Sequence, residues 1–96
     1  MKKISREDKI NIRLSEADRD LILGTTFIEQ EYRDILKSSI AKSGYITFEI
    51  TLDDLDFVLG HIAAAANHAN DPILESSLDD IYGYLTEIES RYELLD

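Results

Sequence analysis

Several residue types that commonly tie down a small protein are scarce or missing in this chain. Its 96 residues include no cysteine, no tryptophan, one proline and one methionine. Without cysteine, the chain has neither a disulfide bond nor a thiolate ligand for a metal ion. A domain of this size buries only roughly 60–65% of the surface that its unfolded chain exposes. Its stability margin is therefore small, and association with a second copy would increase it.

Long hydrophobic runs are also missing. No stretch approaches the ~20 consecutive apolar residues that a membrane-spanning helix needs. The first residues, MKKISREDK, lack the apolar segment of a secretory signal peptide, so we expect a cytoplasmic protein with no membrane partner. Hydrophobic residues nevertheless make up 44% of the chain, which favours a folded domain over disorder.

Positive charge is almost absent from the second half of the chain. The formal net charge is −10, but residues 1–42 carry nine Lys/Arg and eight Asp/Glu, whereas residues 43–96 carry one Lys/Arg and twelve Asp/Glu. The acidic half should be repelled by a nucleic-acid backbone, so we expect no direct nucleic-acid binding. A solvated acidic surface explains this composition, and a surface offered to a basic protein partner is the alternative.

Two stretches alternate between apolar and polar residues, as half-buried strands do: KINIRL at 9–14 and YITFEI at 45–50. Helical periodicity follows each strand. The predicted helices cover residues 16–23, 28–43, 52–69 and 72–95, with Gly24 and Gly44 as stop signals and Ile40 on a buried face.

The predicted architecture is therefore α+β and mostly helical, in the order βααβαα. We expect one domain over residues 1–96, with a flexible segment at 1–8, a first βαα unit at 9–43 and a second at 45–95. The two strands should pair antiparallel, and the last two helices should form a long antiparallel hairpin, because only two residues join them.

The two units also resemble each other when residues 46–60 are laid over 10–24, an offset of 36. Ser15 then meets Thr51, each a predicted helix N-cap with an aspartate three positions later. An internal repeat explains this match, and chance similarity between two strand-to-helix junctions is the alternative.

The predicted last helix is longer than its hairpin partner. Apolar residues continue along it at heptad spacing, and its end would extend about 9 Å beyond helix 52–69. Either the first half of the chain or a second molecule must cover this end, and we predict a homodimer through a seam formed by Leu85, Ile88, Tyr92 and Leu95. Gly83 and the alanines at 63–66 should allow close helix packing.

The stretch HIAAAANHAND at 61–71 concentrates the candidate site residues. His61 and His68 stand seven positions apart, which is about 10.5 Å along a helix, too far for one metal ion to bridge. We therefore predict no metal site, no cofactor and no catalytic residue. The candidate contact residues for a ligand or partner are His61, Asn67, His68, Asp71 and Tyr84. Ordinary helix-end roles are the alternative for the residues at 68–71.

The segment ITLDDLDFVLGHIAAAANHANDPILESSLDDIYGYL at 50–85 resembles a small bacterial domain family. That family is found in short proteins or C-terminal extensions near plasmid and mobile-element genes. The shared features are the strand, the T-L-D-D-L cap, the glycine, the alanine-rich run and the acidic final helix, and the match spans at most residues 8–92. The resemblance implies no activity, and it marks Asn67 and His68 as a pair to test.

Three functional hypotheses follow. The first is a non-enzymatic, homodimeric interaction or accessory protein of a bacterial cytoplasm. The second is a small ligand-binding or hydrolytic domain that uses His61, Asn67, His68 and nearby acids. The third is an acidic decoy that occupies a basic nucleic-acid-binding protein.

Overall fold

The computed structural model describes residues 1–95 and has the expected α+β class, with four helices. The elements, in chain order, are β1 (Lys2–Ile4), β2 (Lys9–Ser15), α1 (Glu16–Thr25), α2 (Gln30–Ser38), β3 (Tyr45–Thr51), α3 (Leu52–Asn67), α4 (Pro72–Glu89) and β4 (Tyr92–Leu94). Among these residues, no helix combines the length and apolar character that crossing a membrane would take.

Strands β2 and β3 form an antiparallel ribbon of seven residue pairs. Ile10 faces Ile50, Ile12 faces Phe48, and Leu14 faces Ile46. These side chains point into the core, whereas the odd-numbered residues between them are solvent-facing, as the alternation in the sequence predicts. The helices therefore cover one face of the ribbon and leave the other open.

The register of the ribbon matches the offset of 36 residues between the two sequence units. Adding 36 to the residue number turns Ile10 into Ile46 and Leu14 into Ile50. The shift therefore relates the pair Ile10–Ile50 to the pair Leu14–Ile46, and it turns Ile12 into its own partner, Phe48. An antiparallel pairing about a two-fold axis at Ile12 and Phe48 has this property. A common ancestry of the two units stays a prediction.

Helices α1 and α3 start in the same way. Ser15 Oγ accepts a hydrogen bond from Asp18 N at 3.1 Å, and Thr51 Oγ1 accepts one from Asp54 N at 3.2 Å. Asp71 caps α4 in the same way through Ile73 N at 2.9 Å, and Pro72 occupies the first turn. All three caps agree with the sequence analysis.

The core lies between the ribbon and the α3–α4 hairpin. Its side chains are aliphatic apart from Tyr32, which donates a hydrogen bond from its hydroxyl to Asp54 Oδ1 at 2.8 Å. Burial of the phenol and the adjacent carboxylate both raise the pKa of Tyr32, so it stays protonated. The largest fully buried side chains are Ile12, Leu14, Ile22, Ile46, Leu55, Ile62, Leu78, Ile81 and Leu85.

The predicted helix over 72–95 is wrong in its last part, because α4 ends at Glu89 and the chain continues as β4. β4 pairs in parallel with β1. β1 lies within residues 1–8, a segment that was expected to be flexible. Ile4 from β1 is buried in the same core cluster as Leu85 and Ile88. Leu85 packs among core residues such as Leu14 and Phe48, so the apolar end of α4 is covered within the chain, which removes the argument that a second copy must cover it.

Two other helix ends differ from the prediction. α1 continues past Gly24, because Thr25 and Thr26 hydroxyls donate to the carbonyls of Leu21 and Ile22, both at 2.7 Å, and so satisfy the helix end without a glycine.

α2 ends at Ser38, not at residue 43. Beyond it, Ser43 and Gly44 both have positive φ, 54° and 82°, and form a tight turn that joins Lys42 to Tyr45. Ile40 is therefore outside the helix and 87% exposed, although burial was predicted. Nor does Gly83 mark a close helix contact, because a Cβ placed there meets nothing within 4 Å.

Candidate partner-binding groove

The stretch HIAAAANHAND lines one side of an open groove of about 430 Å³. The other sides come from the loop between α1 and α2 and from the start of α4. The lining residues are Thr25, Thr26, Phe27, His61, Ala64, Ala65, His68, Ala69, Asn70, Asp71 and Leu74.

The groove runs along a face of α3 whose side chains are small. Ala64 and Ala65 lie between His61 and His68, at helical spacings of three and four. Ile62 and Ala66 point the opposite way and are buried in the core. Because methyl groups occupy the middle of the groove, another chain can approach the α3 backbone closely there.

Large apolar side chains stand in solvent around the groove. Phe27, one of the lining residues, is 91% exposed. Ile73, beside Asp71 and Leu74 in the first turn of α4, is 77% exposed. Phe57 lies one turn before His61 on α3 and is 59% exposed. Exposed apolar side chains are ordinary when scattered, but grouped around a concavity they mark a binding surface.

His61 connects α3 to the loop that carries Phe27. Its Nε2 lies 3.2 Å from Oε1 of Glu29, the residue that precedes α2. The pKa of Glu29 is lowered, first by a backbone hydrogen bond and then by the hydrogen bond to His61. This contact ties the loop to α3, so that Phe27 is held beside the alanines.

The other predicted contact residues have separate positions. His68 lines the groove and is the C-cap of α3, and Asp71 lines it while its carboxylate caps α4. Asn67 is exposed but does not line the groove. Tyr84 lies on α4 and donates its hydroxyl proton to the carbonyl of Arg13, so it is tied to β2. The fold thus brings together His61, His68 and Asp71 and leaves out the other two.

The two hydroxyl groups of the groove, on Thr25 and Thr26, donate to helix carbonyls. Within residues 1–95 no three His, Asp or Glu side chains converge as metal ligands would.

The groove carries no positive charge from Lys or Arg. None of its lining residues is basic, and the carboxylates of Asp71 and Glu29 lie at its edges. The helices α3 and α4, which contribute part of its lining, together hold eight Asp/Glu and no Lys/Arg. A ligand that combines an apolar face with positive charge matches this surface.

Sequence reasoning missed Phe27, because the predicted helices covered 16–23 and 28–43 and no role was assigned to the residues between them. A residue-level signal exists in hindsight: Phe27 falls between Gly24 and the first periodic residue of α2, where a loop can present it to solvent. Its place in the lining of the same groove as Ala64 and Ala65 depends on how the α1–α2 pair lies against α3, which no local sequence pattern indicates.

Comparisons with protein-family models, curated proteins and solved structures gave no match for this chain. The resemblance to a mobile-element domain family, the bacterial origin and the cytoplasmic location therefore stay predictions.

Proposed function

We propose that this protein is a non-enzymatic interaction module that binds a basic, amphipathic segment of a partner protein in the groove between α3 and the α1–α2 loop. The observation that carries the proposal is the 91% exposed Phe27 beside the alanine face of α3. When a partner covers an aromatic side chain in this position, the burial stabilises the complex, by about 2–3 kcal/mol for full burial. It has no comparable role in the free protein.

An amphipathic helix fits the shape and chemistry of the groove. Its apolar side chains would pack on Ala64, Ala65 and Phe27, as helices that bind in grooves do. Its Lys or Arg side chains would face the acidic α3–α4 hairpin. This charge pattern disfavours a second copy of the chain, since two acidic hairpins would repel each other.

As predicted from the sequence, the proposed role is interaction with a protein, and the proposed partner is basic. The proposed contact surface is now the groove and not the end of α4. Homodimerisation becomes an outcome of the test. Light scattering of the protein alone decides it: a dimer that dissociates when Phe27 is replaced by alanine would assign the groove to a second copy.

The experiment uses two labelled amphipathic peptides of about 18 residues with the same leucine face, one with lysine and one with glutamate on the polar face. Fluorescence anisotropy should show binding of the lysine peptide only. Phe27→Ala should weaken it about tenfold, since a buried aromatic anchor is lost without a change in charge.

Ile40→Ala is the matched control, because Ile40 is a large apolar residue of similar exposure, 87%, that lies outside the groove. It should leave the affinity unchanged. Equal affinities for the wild type and Phe27→Ala would contradict the proposal, since attraction to the acidic surface alone would then explain the binding.

A further inference from the structure

The solvent-facing side of the β2–β3 ribbon is a second candidate surface, and its side chains differ in chemistry from those of the groove. The side chains of Lys9, Asn11 and Arg13 on β2 and of Tyr45, Thr47 and Glu49 on β3 all lie on it and are exposed. Within residues 1–95 the ribbon has two strands only, and these side chains are exposed although Ile35 and Ser38 of α2 line one depression beside them. Six polar or amphipathic side chains are thus held in a rigid, regular array.

The backbone pairing fixes how this array points. Glu16 N donates to Gly44 O, and Lys42 exchanges two hydrogen bonds with Tyr45, so Tyr45 turns its N–H and C=O away from β2. Because these directions alternate along a strand, Thr47 and Glu49 do the same. In the described part of the chain, the outer edge of β3 thus forms no further strand pairing, and the ribbon is two strands wide, with the strands about 4.8 Å apart. The odd-numbered side chains project from one face of this narrow ribbon.

Positive charge collects along this face. Three adjoining shallow depressions follow the ribbon, and their basic lining residues are Lys2, Lys3, Lys9, Arg13 and Lys42. The acids among their lining residues are Asp8 and Glu49. Across residues 1–95, none of the five basic side chains forms an ion pair, whereas Arg6, Arg19 and Arg91 do. The lining of these depressions thus holds five Lys/Arg and two Asp/Glu, a local excess of positive charge in a chain of net charge −10.

The width and the side chains match the major groove of B-form DNA. That groove is about 12 Å wide and admits a two-stranded β-ribbon. Arg13 and Asn11 are the residue types that bond guanine and adenine edges with two hydrogen bonds. The Arg13 guanidinium stacks over the Tyr45 ring with 4.0 Å to its centroid, which limits its motion. Lys2, Lys3 and Lys42 lie at the two ends of the ribbon, where phosphates flank the groove.

We propose that the solvent-facing side of the β2–β3 ribbon binds double-stranded DNA in the major groove, with Arg13 and Asn11 at the base edges and the lysines on phosphates. From the sequence we expected no direct nucleic-acid binding, because residues 43–96 are strongly acidic as a whole. The ribbon separates the basic residues from the acidic helices α3 and α4. This inference is independent of the function proposed for the groove.

The test is anisotropy with labelled duplex DNA of about 30 base pairs, its single strand and poly-L-glutamate, at about 50 mM NaCl. The wild type should bind the duplex in preference to the other two probes, and each phosphate contact should add about −0.9 to the slope of log affinity against log salt. Arg13→Gln should weaken duplex binding about tenfold. Glu49→Gln should strengthen it several-fold, since one carboxylate leaves the face.

Lys37→Gln is the control, because it removes one positive charge at an exposed site on α2 that lines none of the three depressions. It should change the affinity by less than about twofold. Absence of duplex binding, equal losses for Arg13→Gln and Lys37→Gln, or equal binding of poly-L-glutamate would each overturn the proposal. Unchanged thermal midpoints of the variants establish that folding is intact, and Phe27→Ala should bind DNA as the wild type does.

Discussion

At the scale of single residues, Glu89 is an acid in an unfavourable environment. Partial burial at the end of α4 raises the pKa of its carboxyl above the ordinary value of 4.5, and the nearby Asp56 carboxylate raises it further. The folded protein therefore holds the Glu89 proton more tightly than the unfolded chain does, and the stability that this proton contributes is lost as the pH rises from about 4.5 upward.

Glu89→Gln should accordingly raise the thermal midpoint at pH 7 and change it little near pH 4, where Glu89 is protonated in both states. Thermal unfolding followed by circular dichroism across this range measures it. Asp80→Asn, at an exposed site in the middle of α4, is the control and should change the midpoint by a similar, small amount at both pH values. A midpoint that rises equally at both pH values would point to a cause other than titration.

At the scale of elements, the two halves begin their helices with the same device. Ser15 and Thr51 each accept a hydrogen bond from the backbone three positions on, and each follows a strand of the ribbon. The chain beyond differs, since α1 has 10 residues and α3 has 16. The same start thus serves two helices of different length.

Ser15→Ala and Thr51→Ala should each lower the free energy of unfolding by about 1 kcal/mol, because each leaves a helix N–H group without its partner. Urea unfolding measures the loss, and the double variant should show the sum, since the caps share no partner. Ser76→Ala, at an exposed helix position, should be neutral. A double variant that loses much less than the sum would mean that the two junctions are coupled through the ribbon.

At the scale of the whole molecule, the two termini close the fold. Lys2 N donates to Arg91 O at 3.0 Å and Leu95 N to Ile4 O at 2.8 Å, and Ile4 is buried in the same core cluster as Leu85 and Ile88. The chain therefore buries its own apolar residues at this end without a second copy.

Ile4→Ala should lower the free energy of unfolding by about 2–3 kcal/mol, as large-to-small core substitutions do. Lys3→Ala, its exposed neighbour on β1, should change it by less than about 0.5 kcal/mol. Chemical denaturation with a constant m-value decides the comparison. Equal, small effects would show that β1 adds little to the core.

Charge is also arranged at this scale. The acidic hairpin and the basic ribbon face occupy different parts of the molecule, so net charge alone describes neither surface. The two proposals follow this division, with a basic protein segment at the groove and DNA at the ribbon.

The sequence by itself determined the local elements: the alternation of KINIRL and YITFEI and the caps at Ser15, Thr51 and Asp71. Such features depend on residues within a few positions, where sterics and hydrogen bonding decide. The antiparallel order of the strands also followed from the sequence, through the number of chain reversals between them. The tertiary structure alone decided that β4 ends the chain beside β1, that Phe27 stands next to the alanines of α3, and that Tyr84 reaches Arg13. These contacts join residues from 30 to 90 positions apart, and the free energy that selects them comes from burial of the whole core, which no short pattern contains.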